Sequence, residues 1–270
     1  MNYTLWEGAG IAIIAPNWGR KDSAIRKGHG NWPESRSVCR LDLGLVPYHQ
    51  AWELQKELVA CKRSREDFPE VLLLLEHPPV LTLGRFGRPE HLLADAARLK
   101  ELGLELICCE RGGQVTYHGP GQLIAYPILN LKHLGLGIRE VVRRLEEVVM
   151  RTLADYRVRA ARRPGYPGVW VGEEKIASLG LAIQQNISFH GLALNYGAGL
   201  DPFDLINPCG LAGVRMTSLE KIKGHQPVSA ELRHNLAGHF MEVFGLEPGT
   251  PGLVEKIVEK WLENCKIKTI

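Results

Sequence analysis

The apolar and polar positions of this chain alternate with two different periods, and the changes of period mark out its elements. Tyr48, Ala51, Trp52, Gln55, Leu58 and Val59 fall on one helical face, with Pro47 suited to a first turn. Val71 to Leu75 is an unbroken apolar run bounded by polar residues, the pattern of a strand covered on both faces. Glu76-His77-Pro78-Pro79 stops it, and Val80 to Leu83 predicts a short second strand ending at Gly84. Leu92 to Leu102 predicts a helix closed by Gly103, and Leu104 to Cys109 a further strand. Gln122 to Leu131 reads as another strand, in which Pro127 implies an edge position or a bulge. Ile138, Val141, Val142, Leu145, Val148, Val149 and Leu153 form the clearest amphipathic helix. Val169 to Val171, Lys175 to Gln184 and Ile187 to Asn195 predict three strands, the last two joined at Gln185-Asn186. Leu232, Leu236, Phe240 and Val243 predict a helix, and Leu253 to Leu262 a last one. Strands crowd the centre and hairpins are frequent. The expected class is α+β, with a mixed, mostly antiparallel sheet packed by helices.

Between the strands ending at Cys109 and beginning at Leu123 lies Arg111-Gly112-Gly113-Gln114-Val115-Thr116-Tyr117-His118-Gly119-Pro120-Gly121-Gln122. Its glycines allow backbone to approach a ligand closely or to take positive φ. Arg111, Thr116, Tyr117, His118 and Gln122 bring more functional groups than a plain turn requires. The stretch reads as a loop able to cradle a ligand.

Composition narrows the field without choosing a function. Apolar residues at 45% and charged residues at 23% are those of an ordinary globular protein. A net charge of +3 is too weak to argue for nucleic acid. No run approaches the length needed to span a bilayer, and the N-terminus lacks the positive n-region of a secretory signal. The cysteines, with no Cys-x-x-Cys pair, read as reduced thiols of a cytoplasmic protein. Residues 1–38 show neither period and are expected to be a loosely ordered extension, followed by a catalytic domain over 39–246 and a C-terminal helix within 247–270.

There is no P-loop, no complete Gly-x-Gly-x-x-Gly, no zinc spacing and no Gly-x-Ser-x-Gly elbow. What remains is a thiol and an amine. Cys209 lies in Asn207-Pro208-Cys209-Gly210, where a side chain can be held out and approached, whereas Cys108 and Cys109 sit in an apolar run. Lys175 opens Lys175-Ile176-Ala177-Ser178-Leu179-Gly180; taken alone, a lysine leading a strand is usually solvated. A cation beside a thiol favours the thiolate, and moving a cysteine pKa from about 8.5 to about 7 needs about 2 kcal/mol. On alternation His190 shares a face with Ser188, Leu192 and Leu194, as a core histidine or a catalytic one. The arginines at 139, 143, 144, 151, 157, 159, 162 and 163 form the one dense basic region, either solvated surface or a docking face for an acidic carrier protein.

These residues together resemble the octanoyltransferases of lipoate biosynthesis. The resemblance rests on the Arg111–Gln122 stretch, on Lys175 to Gly180, on His190-Gly191-Leu192-Ala193-Leu194-Asn195 and on Ile206-Asn207-Pro208-Cys209-Gly210, with Leu75-Glu76-His77-Pro78-Pro79-Val80 similar to the family's early strand. The motifs keep the family's order over about residues 40–245. The Arg-Gly-Gly stretch alone would leave lipoate and biotin ligases open. The resemblance implies the catalytic fold of biotin and lipoate protein ligases, and an acyl-thioester nucleophile at Cys209 assisted by Lys175. It implies substrate contacts from Arg111, Gly112, Gly113, Gln114, Val115, Thr116, Tyr117 and His118, from Ser178, Leu179 and Gly180, and from Gly191, Leu192 and Ala193. The implied donor is octanoyl-acyl carrier protein. The implied acceptors are lipoyl domains of 2-oxoacid dehydrogenase E2 subunits and the glycine cleavage H protein, with no metal and no cofactor. An ATP-dependent ligase and a non-catalytic acyl-binding module are the alternatives.

Overall fold

The computed structural model describes residues 37–197, 199–207, 213–250 and 252–267. An eight-stranded mixed sheet forms the frame. In chain order its strands are β1 (Ser37–Leu45), β2 (Glu70–Glu76), β6 (Gln122–Ile128), β7 (Ala161–Arg163), β8 (Tyr166–Val171), β9 (Glu174–Gln184), β10 (Ile187–Asn195) and β11 (Glu247–Pro248). They are arranged β11-β1-β2-β6-β10-β9-β8-β7, with β1 parallel to β2 and β11 and the remaining pairs antiparallel. A three-stranded sheet, ordered β4-β3-β5, comprises β3 (Val80–Leu83), β4 (Glu105–Cys108) and β5 (Val115–His118).

Helices cover both faces of the large sheet, which is why β2 and β10 are buried along nearly their whole length. On one side α4 (Ile138–Asp155) and α6 (Ser229–Phe244) pack on Leu72, Leu74, Leu192 and Leu194. On the other, α1 (Tyr48–Ser64) and α7 (Gly252–Ile267) pack on Leu41, Leu73, Leu75, Phe189 and Ala193. The helices expected at Tyr48–Val59, Ile138–Leu153, Leu232–Val243 and Leu253–Leu262 are therefore present, as is the β9–β10 hairpin. Gln185 and Asn186 both have positive φ, 48° and 66°, the turn geometry that matches strand twist.

Several expectations are corrected. The strand β1 was not singled out by its pattern, because Arg40, Asp42 and Gly44 interrupt it; Arg40 and Asp42 pair with each other along the strand. Ser37 and Val38 thus belong to the sheet, and residues 1–36 of the expected extension lie outside the described residues. The helix expected at Leu92–Leu102 is only α2 (Ala96–Glu101). Leu92 turns instead to bridge Ile206, and Asp95 caps the helix by accepting from the Arg98 N–H at 2.8 Å. The glycine-rich stretch is not one loop: Val115–His118 is a strand paired with β3, and β4 and β6 on its two sides belong to different sheets. The expected strand Gln122–Leu131 ends at Ile128, and Leu131–Leu134 forms the one-turn helix α3 capped by Asn130.

Pro127 does not mark an edge, since β6 lies between β2 and β10. The β6–β10 ladder lapses opposite it instead, between the pairs Leu192–Ala125 and Asn130–Ile187. There His190 adopts φ 54° and directs its N–H to Gln55 Oε1 of α1 at 2.7 Å. A proline is tolerated inside a sheet where its neighbour has no need of its missing donor.

Candidate active site

The site lies between the small sheet and the β9–β10 hairpin, held by the segment joining them. Arg111 organises that segment. Its guanidinium donates from Nε to Thr82 Oγ1 at 3.0 Å, from Nη2 to the carbonyls of Thr82 and Gln114 at 2.6 and 2.8 Å, and from Nη1 to the Gly112 carbonyl at 3.0 Å. A buried guanidinium with this many neutral acceptors ties β3 to the loop and fixes its path. The Gly112 N–H then bonds the Leu181 carbonyl of β9 at 2.8 Å, docking the loop on the large sheet. Gly180 permits that approach: a Cβ there would come within 2.7 Å of the Gly112 carbonyl oxygen.

The far end of the stretch is braced as firmly. His118 donates from Nδ1 to Gln122 Oε1 at 2.6 Å, Gln122 Nε2 donates to Asn195 Oδ1 at 2.9 Å, and Asn195 Nδ2 donates to the Thr217 carbonyl at 3.1 Å. Glu76 accepts the Gly121 N–H at 2.8 Å with one oxygen and, with the other, the Tyr196 hydroxyl at 2.7 Å and Arg233 at 2.8 Å.

Lys175 is 1% exposed and among the largest fully buried side chains of the described residues. The solvated end expected of a strand-leading lysine is therefore not what the fold makes of it. Its backbone pairs with the segment that follows residues 208–212: its N–H bonds the Arg215 carbonyl and its carbonyl accepts from Thr217, both at 2.9 Å. Its amine lies 5.6 Å from the centre of the Trp170 ring. Gly168, at φ 136°, leaves the space for it, because a Cβ there would sit 2.4 Å from Lys175 Cε and 3.0 Å from Nζ.

These elements line a narrow pocket of about 50 Å³. It is lined by Arg111, Gly113, Gln114, Val115, Thr116 and His118, by Lys175, Ser178, Leu179 and Gly180, and by Gly191, Leu192 and Ala193. Three motifs far apart in sequence thus meet at one cavity. Gly112 and Tyr117 do not line it. Gly112 faces Leu181, and the alternation of β5 turns Tyr117 onto Phe203, with ring centres 5.5 Å apart. Cys209 falls in residues 208–212, outside the described residues.

Two further lining residues, Tyr126 and His190, were not among the expected contacts. His190 does not share a face with Leu192 and Leu194. Those two pack under α4 and α6, whereas the His190 ring lies on the α1 side, 5.0 Å from Phe189, 5.9 Å from Tyr126 and 6.3 Å from Tyr48. Positive φ at that one residue breaks the two-residue alternation, which periodicity cannot register. His77, His118 and His190 are all buried, and burial holds each below the usual imidazole range, His77 at about 4 and His190 at about 3; the Arg111 charge lowers His118 and His190 further. Among the described residues no group of His, Cys, Asp or Glu is placed to hold a metal ion.

The basic region is less free than its sequence implies. Arg144 pairs with Glu140, Arg151 with Glu147, Arg162 with both Glu146 and Glu147, and Arg163 with Glu173. These pairs diminish the charge density that suggested a docking face. No described helix is long and apolar enough to cross a membrane.

Comparison with known proteins agrees with the geometry. Residues 47–241 match the family model of the lipoyl protein ligase A/B catalytic domain. The octanoyltransferase of Chloroflexus aurantiacus is 45% identical over 214 residues, covering 78% of this chain and 96% of that protein. That of Pseudomonas syringae pv. syringae is 48% identical over 201 residues, covering 73% and 88%. In fold, the chain is similar to lipoate-protein ligase A solved with ATP, with a TM-score of 0.66 at 17% identity over 85% of this chain and 93% of that one. It is also similar to a bipartite lipoate protein ligase of Thermoplasma acidophilum, with a TM-score of 0.64 at 19% identity over 85% and 91%. With its motifs gathered on one pocket and its relatives matched over most of their length, the chain belongs to the octanoyltransferase family of acyltransferases.

Proposed function

We propose that this protein transfers an octanoyl group from octanoyl-acyl carrier protein, through a thioester on Cys209, to a lysine of lipoyl domains in 2-oxoacid dehydrogenase E2 subunits and the glycine cleavage H protein. The observation that carries the reading is Lys175, a fully buried amine on the wall of a pocket shared by three motifs. The backbone of Lys175 is bonded to that of Arg215, six residues beyond Cys209 in the sequence.

In the first step the Cys209 thiolate attacks the octanoyl thioester carbon. The bond to the carrier sulfur breaks, and the carrier leaves as a thiol after gaining a proton. Lys175 favours the attacking thiolate and carries the proton. In the second step the acceptor lysine attacks the Cys209 thioester, an amide forms, the cysteine thiolate is expelled, and the amine proton passes to Lys175 or solvent. Exchange of thioester for thioester and then for amide needs no nucleotide. Backbone N–H groups of the Arg111–Gln122 stretch stabilise the oxyanion in this reading.

Intact mass after incubation with octanoyl-carrier tests this directly. An octanoyl adduct is expected on the wild type and no thioester adduct on Cys209→Ser. A hydroxylamine-labile adduct persisting on that variant, or transfer that requires ATP and free acid, would overturn the assignment.

A further inference from the structure

The acyl pocket has two chemically different ends. At one end Gly168, whose added Cβ would touch both Lys175 Nζ and the Ala177 carbonyl, sets the amine level with Ala177 of β9. At the other lies His190, paired in register with Leu181. Four residues of strand separate these levels, roughly 13 Å at about 3.3 Å per residue. An acyl chain anchored beside Lys175 and laid along Gly180, Gly191 and Ala193 therefore points its tail at His190.

Three observations mark His190 as more than core packing. It is 1% exposed, yet neither Nδ1 nor Nε2 has a hydrogen-bond partner among the described residues, and a buried polar group left unpaired is costly. Its backbone sits at φ 54°, a strained conformation for a non-glycine residue. That conformation is what swings the ring off the α4–α6 face and onto the pocket wall. Strain and an unmet hydrogen-bonding group thus coincide at the end of a binding cavity. A neutral imidazole offers one donor and one acceptor, which a hydroxyl can answer from either side.

We propose that His190 is a specificity-determining residue for the acyl chain: it forms the polar far end of the pocket, hydrogen-bonds a hydroxyl-type group carried at the tail of a chain that reaches it, and rejects saturated chains long enough to press an apolar tail against the imidazole. The inference rests on the acyl-pocket reading above and deepens it, since it says which chains the pocket accepts. A saturated chain that stops short leaves the imidazole's surroundings undisturbed. One that reaches it removes every route to satisfying the two nitrogens.

Calorimetric binding of free straight-chain fatty acids and their ω-hydroxy counterparts, from about six to fourteen carbons, tests the proposal on the full chain. In the wild type, affinity should climb with length, then fall. At the first lengths past the maximum, the ω-hydroxy acid should bind at least about tenfold tighter than the saturated acid. His190→Gly, which tolerates the same backbone, should abolish the fall and reduce the hydroxyl advantage at least about tenfold. His190→Asn, also at ease in the left-handed region and still polar, should keep a hydroxyl preference. No hydroxyl advantage at any length in the wild type overturns the proposal, and so does an advantage undiminished in His190→Gly. Octanoyl transfer measured alongside keeps the two readings apart: its failure would sink the transfer mechanism, while the binding series still decides the role of His190.

Discussion

His77 and His190 lie on the same side of the large sheet, both buried and both held neutral by burial, and they differ in one respect. His77 donates from Nδ1 to the Val46 carbonyl at 2.6 Å and accepts the Tyr126 hydroxyl at Nε2 at 2.9 Å, so the protein uses both nitrogens. His190 has neither partner among the described residues and occupies a strained backbone besides. The first ties the end of β2 to the connection between β1 and α1 and to β6. The second presents its chemistry to the pocket. Burial and a lowered pKa are common to the two and do not distinguish a structural histidine from a ligand-facing one; the hydrogen-bond inventory does.

The contrast can be tested by stability, from the largest expected effect downward. Unfolding free energy should fall as pH drops from about 6.5 toward 4. In that window the unfolded chain protonates its histidines while the folded chain, with His77 at about 4 and His190 at about 3, resists; above 6.5 both states are neutral and the dependence ends. A shift of this size corresponds to about 3 kcal/mol per histidine, read by urea denaturation across the range. A flat profile between pH 6.5 and 4 would contradict the buried, neutral assignment of both residues.

His77→Ala should lower stability by about 3 kcal/mol, through a cavity and two orphaned partners, without altering the acyl-length profile. Tyr126→Phe falls between His77→Ala and His190→Gly, because it leaves His77 Nε2 without its donor. A loss of about 1–2 kcal/mol is expected, and a change below the error of the melt would mean that the 2.9 Å contact contributes nothing. His190→Gly should change stability by less than about 1 kcal/mol, since it gives up packing but relieves the left-handed strain. Equal losses from the two histidine substitutions in denaturant melts would erase the distinction.

The legible parts of the molecule are those where one period runs unbroken. The apolar stripe from Val141 to Leu153 is α4, the run Val71–Leu75 is the interior of β2, and the Gln185-Asn186 turn lies where its flanking strands predict. The misread parts are those where a local exception is set from a distance. Arg40 and Asp42 answer each other and so fit in a buried strand. Val115–His118 hides as a strand among glycines, although its alternating β-branched and aromatic residues carried the signal. Pro127 sits inside the sheet because β10 departs from its ladder opposite it.

The site divides along the same line. Local chemistry in the sequence offered a glycine-rich stretch, a thiol at Cys209 between proline and glycine, and an amine at Lys175 as candidates. It also settled the α+β class, since hydrophobic period is a property of the chain itself. Only the tertiary structure decided that Lys175 is buried, that Tyr117 faces away while Thr116 and His118 face in, and that His190 turns from the core to the pocket. Each of those depends on space left by a distant residue, such as Gly168 for Lys175, or on a single backbone angle. Neither leaves a trace in the spacing of apolar positions.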